Sequence, residues 1–115
     1  MTEIKERSGN MSEKNYRICL TAPLGVRNGT MVLCETGGKV DGWLDVMNKK
    51  NTFSGVISDD GQLTLSGEIR TLISTVHYTA TGTVSGRKIL LNLKTDSGAH
   101  YPVSGEEFNI DDKVL

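Results

Sequence analysis

Residues 59–70 read DDGQLTLSGEIR and combine a turn signal with a strand signal. The opening Asp59-Asp60-Gly61 is typical of a tight β-hairpin turn, because Asp and Gly accept the positive φ angles that such turns require. In the residues that follow, Leu63, Leu65 and Ile69 alternate with polar side chains. Successive side chains of a strand point to opposite faces, so this alternation predicts a strand with one buried face and one face in water.

The same alternation runs outward in both directions and predicts about eight short strands. Consecutive strands with short connections favour an all-β, closed or nearly closed antiparallel up-and-down barrel, since closure removes exposed sheet edges. Residues 48–51 are expected to form a loop between the third and fourth strands. The predicted inward residues are Tyr16, Ile18, Leu20, Ala22, Met31, Leu33, Val40, Leu44, Val46, Phe53, Ile57, Leu63, Leu65, Ile69, Val76, Tyr78, Ala80, Val84, Ile89, Leu91, Leu93, Tyr101 and Val103.

A chain of 115 residues has room for one domain. We expect a disordered charged tail over residues 1–14, the barrel over 15–110 and a short tail over 111–115. The first residues contain no apolar stretch typical of a signal peptide, so the expected location is the cytoplasm.

The charge balance argues against nucleic acid as a partner, and the lack of a long apolar segment argues against a membrane. Thirteen basic and 14 acidic side chains give a net charge of -1. No basic stripe suited to phosphates stands out. No segment approaches the roughly 20 continuous apolar residues that span a bilayer.

A three-residue unit of an apolar residue, Ser or Asp, and Gly recurs along the chain. We expect its apolar residue and its glycine to face inward, where glycine allows a strand to bend or another backbone to come close. A phosphate-binding cofactor loop needs a strand-to-helix context that is missing here, so no cofactor is expected. The units are residues 40–42, 53–55, 65–67, 84–86 and 103–105.

With these repeated units, the chain resembles small bacterial β-barrel domains of lipocalin-like, or calycin-like, shape. The resemblance covers about residues 16–108. It implies a fold and carries no activity with it.

The two cysteines fall in consecutive predicted strands. A hairpin centred near Val26 and Arg27 would place Cys19 opposite Cys34, which makes a disulfide geometrically conceivable. In a cytoplasmic protein we expect reduced thiols that act as small apolar side chains.

Three tyrosines are the polar groups of the predicted interior: Tyr16, Tyr78 and Tyr101. Eight-stranded barrels either fill with side chains or hold one small ligand. We expect a filled interior. The alternative is a small hydrophobic ligand that accepts or donates a hydrogen bond at a tyrosine hydroxyl.

Two aspartates, Asp41 and Asp45, point the same way on one predicted strand and are the candidate catalytic residues. Four strand residues separate them by roughly 13 Å, too far to share a proton within one chain. Only a partner subunit would complete such a carboxylate pair. His77 and His100 are expected on the outer face, and no metal site is expected.

Large apolar residues on the predicted outer face favour self-association. Trp43, Met47 and Val56 would form one patch if the third and fourth strands are neighbours, and tryptophan is common at interface centres. The favoured function is therefore a non-enzymatic, self-associating binding or accessory protein. The alternatives are an aspartate-dependent hydrolase with its site at an oligomer interface, and a carrier of a small hydrophobic ligand inside the barrel.

Overall fold

Eight antiparallel strands form a closed barrel in the computed structural model, which describes residues 11–22, 25–46, 49–70 and 73–109. Each strand pairs with the next, and the last pairs with the first, so the predicted up-and-down barrel is confirmed. That part of the chain contains no helix able to cross a membrane. The strands are β1 (Met11–Ala22), β2 (Gly25–Thr36), β3 (Lys39–Val46), β4 (Lys49–Ile57), β5 (Gln62–Arg70), β6 (Thr75–Ser85), β7 (Lys88–Thr95) and β8 (His100–Phe108).

The barrel has two distinct ends. At the upper end, as we name it, β1, β3, β5 and β7 finish at Ala22, Val46, Arg70 and Thr95. At the lower end, short turns join β2 to β3, β4 to β5 and β6 to β7. The inward residues near each end therefore come from strand ends that are far apart in sequence.

The strands are staggered around the barrel. A path that starts at Met11 and moves from each residue to its partner on the next strand crosses all eight strands. When the β1–β8 register is extended by one position, the path returns to β1 at Thr21, ten residues after Met11. Such a stagger tilts the strands, and an eight-stranded barrel encloses a narrow interior.

The predicted inward residues line that interior. Tyr16, Met31, Ala80 and Ile89 have no exposed surface, and they form one cluster with the other buried apolar side chains. Full burial of each large apolar side chain contributes about 1.5–3 kcal/mol, so this single core accounts for the cohesion of the domain.

Four of the five repeat glycines face inward as expected. At Gly55, a Cβ atom would overlap the backbone carbonyl of Thr64 on β5, so only glycine lets the two strands approach this closely. The exception is Gly86, which lies exposed in the β6–β7 turn with φ of 60°, a left-handed conformation that favours glycine.

The first hairpin differs from the prediction. The ladder places Val26 opposite Thr21 and Arg27 opposite Leu20, so both residues belong to β2 and the hairpin is not centred on them. Gly25, at the start of β2, has φ of 134°, a conformation that favours glycine.

As a result, the cysteines are not opposite each other. Cys19 pairs with Asn28, Cys34 pairs with Glu13, and both thiols are free. The predicted arrangement, in which the two cysteines lie opposite each other and could form a disulfide, is therefore wrong.

Strand β1 also begins at Met11, four residues before the predicted start of the barrel at residue 15. Residues 1–10 and 110–115 lie outside the described part of the chain, so the tails there stay a prediction.

At the upper end of the barrel, a side chain connects β4 to β5. Among the described residues, the ladder of these two strands runs only from the pair Phe53–Gly67 to the pair Ile57–Leu63. Above it, the Arg70 N–H donates to Asn51 Oδ1 at 3.0 Å. Asn51 Nδ2 donates to the carbonyls of Lys49 at 3.0 Å and Leu44 at 3.3 Å. Lys49 to Asn51, expected in a loop, thus belong to β4, with Asn51 buried.

Candidate functional site

An apolar cavity of about 150 Å³ lies inside the upper end of the barrel. The ends of β1, β5 and β7 and the beginnings of β6 and β8 supply its walls. No charged side chain is among its lining residues, which are Leu20, Ala22, Ile69, Val76, Tyr78, Leu93, Thr95 and Tyr101.

Small or half-buried side chains explain why space remains at this level. Ala22 stands at the last inward position of β1, where the preceding inward residues Tyr16, Ile18 and Leu20 are all large and buried. Thr95, at the end of β7, directs its hydroxyl to the following turn, where Oγ1 accepts from the Ala99 N–H at 3.1 Å and contacts Ser97 Oγ at 2.9 Å.

Tyr78 lines the cavity and carries a buried hydroxyl. Its side chain is only 3% exposed, and it pairs with Gly67 on β5 and Thr95 on β7. The hydroxyl lies 3.0 Å from where a Cβ on Gly67 would be, so the ring extends over this glycine. Among the described protein atoms, the hydroxyl has no hydrogen-bond partner. Burial raises the pKa of Tyr78 well above its ordinary value, so the group is a neutral hydroxyl.

The three predicted ligand tyrosines do not lie together. Tyr101 lines the cavity with Tyr78, whereas Tyr16 does not line it. Tyr16 is fully buried in the core, and its hydroxyl also lacks a partner among the described protein atoms. Burial, and secondly the Glu107 carboxylate, raise the pKa of Tyr16 to about 12.

The cavity suits a small apolar molecule with one polar atom. A cavity of this size and composition in another protein holds a benzene-sized ligand. A neutral tyrosine hydroxyl both donates and accepts a hydrogen bond. The absence of a charged lining residue disfavours ionic ligands, because a buried charge needs a partner.

The candidate catalytic aspartates are both exposed on the outer face of β3. Asp41 pairs with Cys34 and Ser54, and Asp45 pairs with Thr30 and Lys50. Within one chain they are not brought together, so the hydrolase hypothesis still depends on a second subunit and stays a prediction.

The histidines lie on the outer face. His77 Nδ1 is 3.3 Å from Glu68 Oε2, and His100 Nδ1 is 2.9 Å from Asn92 Nδ2. In the described ranges, no group of three or more His, Cys, Asp or Glu side chains could hold a metal ion.

The predicted interface residues occupy separate positions on the outer face. Trp43 is half-buried, pairs with Thr52 and has Lys50 Nζ 3.9 Å from its ring centroid. Val56, 54% exposed, is four residues from Thr52 along β4, roughly 13 Å away. The two therefore do not share one patch. Met47 lies outside the described residues, and self-association stays a prediction.

Sequence reasoning identified most cavity residues as core but did not identify a cavity. The one feature of the sequence that indicates a cavity is Ala22, a small residue at the end of a series of large inward residues on β1. Thr95 was missed, because its position beside a turn concealed its place on the inward face of β7.

Neither the protein-family models nor the curated proteins compared with this chain match it.

Proposed function

We propose that this protein is a non-enzymatic binding protein that holds a small, mainly apolar molecule in the upper cavity. One observation carries the proposal: the barrel encloses an apolar space of about 150 Å³ that is lined by Tyr78, a residue whose buried hydroxyl has no partner among the described protein atoms. Most buried polar groups in proteins have a partner, so a hydroxyl of this kind requires an explanation.

The expected ligand has one ring or a short chain and one hydrogen-bonding atom. An unsatisfied buried hydroxyl costs about 1–3 kcal/mol, and a ligand atom that pairs with Tyr78 recovers part of this cost. Phenol and benzyl alcohol have the required size and chemistry, while benzene has the size alone.

We also propose that the chain is a bacterial, cytoplasmic, self-associating member of the lipocalin-like barrels. The closed topology of eight consecutive antiparallel strands supports the lipocalin-like part. The outward Val56, which is more than half exposed, supports self-association.

The test is a titration of the protein with phenol, benzyl alcohol and benzene, followed by NMR shifts of the methyl groups of Leu20, Ile69 and Leu93. We expect saturable shifts, with tighter binding of phenol than of benzene. The variant Ala22→Leu should abolish binding, because its larger side chain fills the cavity.

The matched control is Thr21→Leu, which adds a similar side chain at the neighbouring outward position and should leave binding unchanged. Tyr78→Phe should remove the preference for phenol over benzene while keeping benzene binding. If none of the three probes gives saturable methyl shifts in the unmodified protein, the proposal is wrong.

A further inference from the structure

A polar cleft of about 1,020 Å³ crosses the outer face of β3, β4 and β5. It lies where the β4–β5 ladder ends and Asn51 links the two strands through its side chain. Asn51 is 4% exposed and makes three hydrogen bonds, so the floor of the cleft is a fixed part of the barrel.

Trp43 provides an aromatic wall for the cleft. The indole is half-buried, and the Lys50 ammonium lies over its ring, 3.9 Å from the centroid. A ligand that packs on this face takes the place of the flexible Lys50 side chain, while the half-buried indole stays fixed.

The rest of the lining is polar and mixed in charge. Asp41 and Glu68 supply carboxylates, Lys49, Lys50 and Arg70 supply cations, and Thr52 and Ser66 supply hydroxyls. Hydrogen-bond donors and acceptors therefore both line the cleft beside Trp43.

We propose that this cleft binds a neutral oligosaccharide. Sugar rings have apolar C–H faces that pack on an indole, and hydroxyls that donate to carboxylates and accept from Lys and Arg. The cleft is at the upper limit of ordinary small-molecule pockets, which suits a ligand of several rings. This site is separate from the upper cavity and goes beyond the function proposed for it.

The cleft carries charges of both signs, with Lys49, Lys50 and Arg70 against Asp41 and Glu68. A neutral ligand with many hydroxyls hydrogen-bonds to groups of both signs, because a hydroxyl both donates and accepts.

The chain contains one tryptophan, Trp43, so its tryptophan emission reports on the cleft. We would titrate the full chain with cellotriose, maltotriose and triacetylchitotriose up to about 10 mM, which detects dissociation constants in the millimolar range. At least one trisaccharide should produce a saturable change in Trp43 emission, matched by isothermal titration calorimetry. Inorganic phosphate and a heparin hexasaccharide serve as anionic probes.

Asp41→Ala should raise the dissociation constant at least tenfold. The matched control Glu106→Ala removes an exposed carboxylate on β8, outside the cleft, and should leave the constant unchanged. The cavity variant Ala22→Leu should also bind the trisaccharide normally, which separates this proposal from the first. No saturable response to any trisaccharide, or a response to the anionic probes alone, would overturn it.

Discussion

Tyr16 places a hydroxyl in the core, with no exposed surface and no hydrogen-bond partner among the described protein atoms. Replacing Tyr16 by Phe keeps the ring and removes the unsatisfied group. We expect the free energy of unfolding in urea to rise by about 1 kcal/mol. A loss of stability would show that this hydroxyl is satisfied in solution.

Alkaline pH should destabilise the protein through the buried tyrosines. The pKa of Tyr16 is about 12 in the folded protein, against 10.0 for an ordinary tyrosine. The folded state thus keeps a proton that the unfolded chain loses. Below pH 10 this has no effect on stability. Between pH 10 and about 12, the free energy of unfolding should fall by roughly 1.4 kcal/mol per pH unit for this group.

Tyr78 should add to that slope, because burial raises its pKa also. Urea unfolding at intervals across this pH range measures the effect. The double variant Tyr16→Phe, Tyr78→Phe should lose less stability between pH 10 and 12 than the unmodified protein. Equal slopes for the two proteins would contradict the assignment to these tyrosines.

At the scale of elements, Asn51 joins strands whose backbone ladder has ended. Asn51→Ala removes three hydrogen bonds and leaves the Arg70 N–H without its acceptor. We expect a loss of about 2–4 kcal/mol in the free energy of unfolding.

Asn92→Ala is the control for this prediction, since Asn92 is exposed and contacts only the His100 ring in a side-chain hydrogen bond. Its loss should stay within about 0.5 kcal/mol. Similar losses for the two variants in urea unfolding would show that Asn51 does not hold the wall together.

The strands themselves were predictable, because most inward side chains of β3 to β8 alternate with polar ones, and the outward apolar residues Trp43, Val56 and Leu90 interrupt the pattern only singly. The strand register was less predictable: Cys19 pairs with Asn28 and not with Cys34, because a small displacement of a hairpin's centre changes the partner of every residue in both strands. Asn51 looked like a loop residue because polarity alone does not reveal that three hydrogen bonds permit its burial. The cavity forms where side chains from five strands meet, so it cannot be predicted from the sequence of any one strand.

At the scale of the whole molecule, we predict that the 12.5 kDa chain forms a homo-oligomer. Sedimentation velocity should show a species heavier than the monomer. Val56→Lys should dissociate it by placing a charge on the predicted interface. Leu90→Lys, at a comparably exposed apolar residue on β7, should not. A monomer at every concentration would contradict self-association.

The pairing of β8 with β1 joins residues 15–20 to residues 103–108, close to the two ends of the described chain. A ribosome adds β8 after the other seven strands, so the growing polypeptide cannot close its barrel while that segment is still inside the exit tunnel. Until then both β1 and β7 offer unpaired edges to other nascent chains. The interval before β8 emerges is therefore the stage of synthesis at which this barrel is most exposed to aggregation.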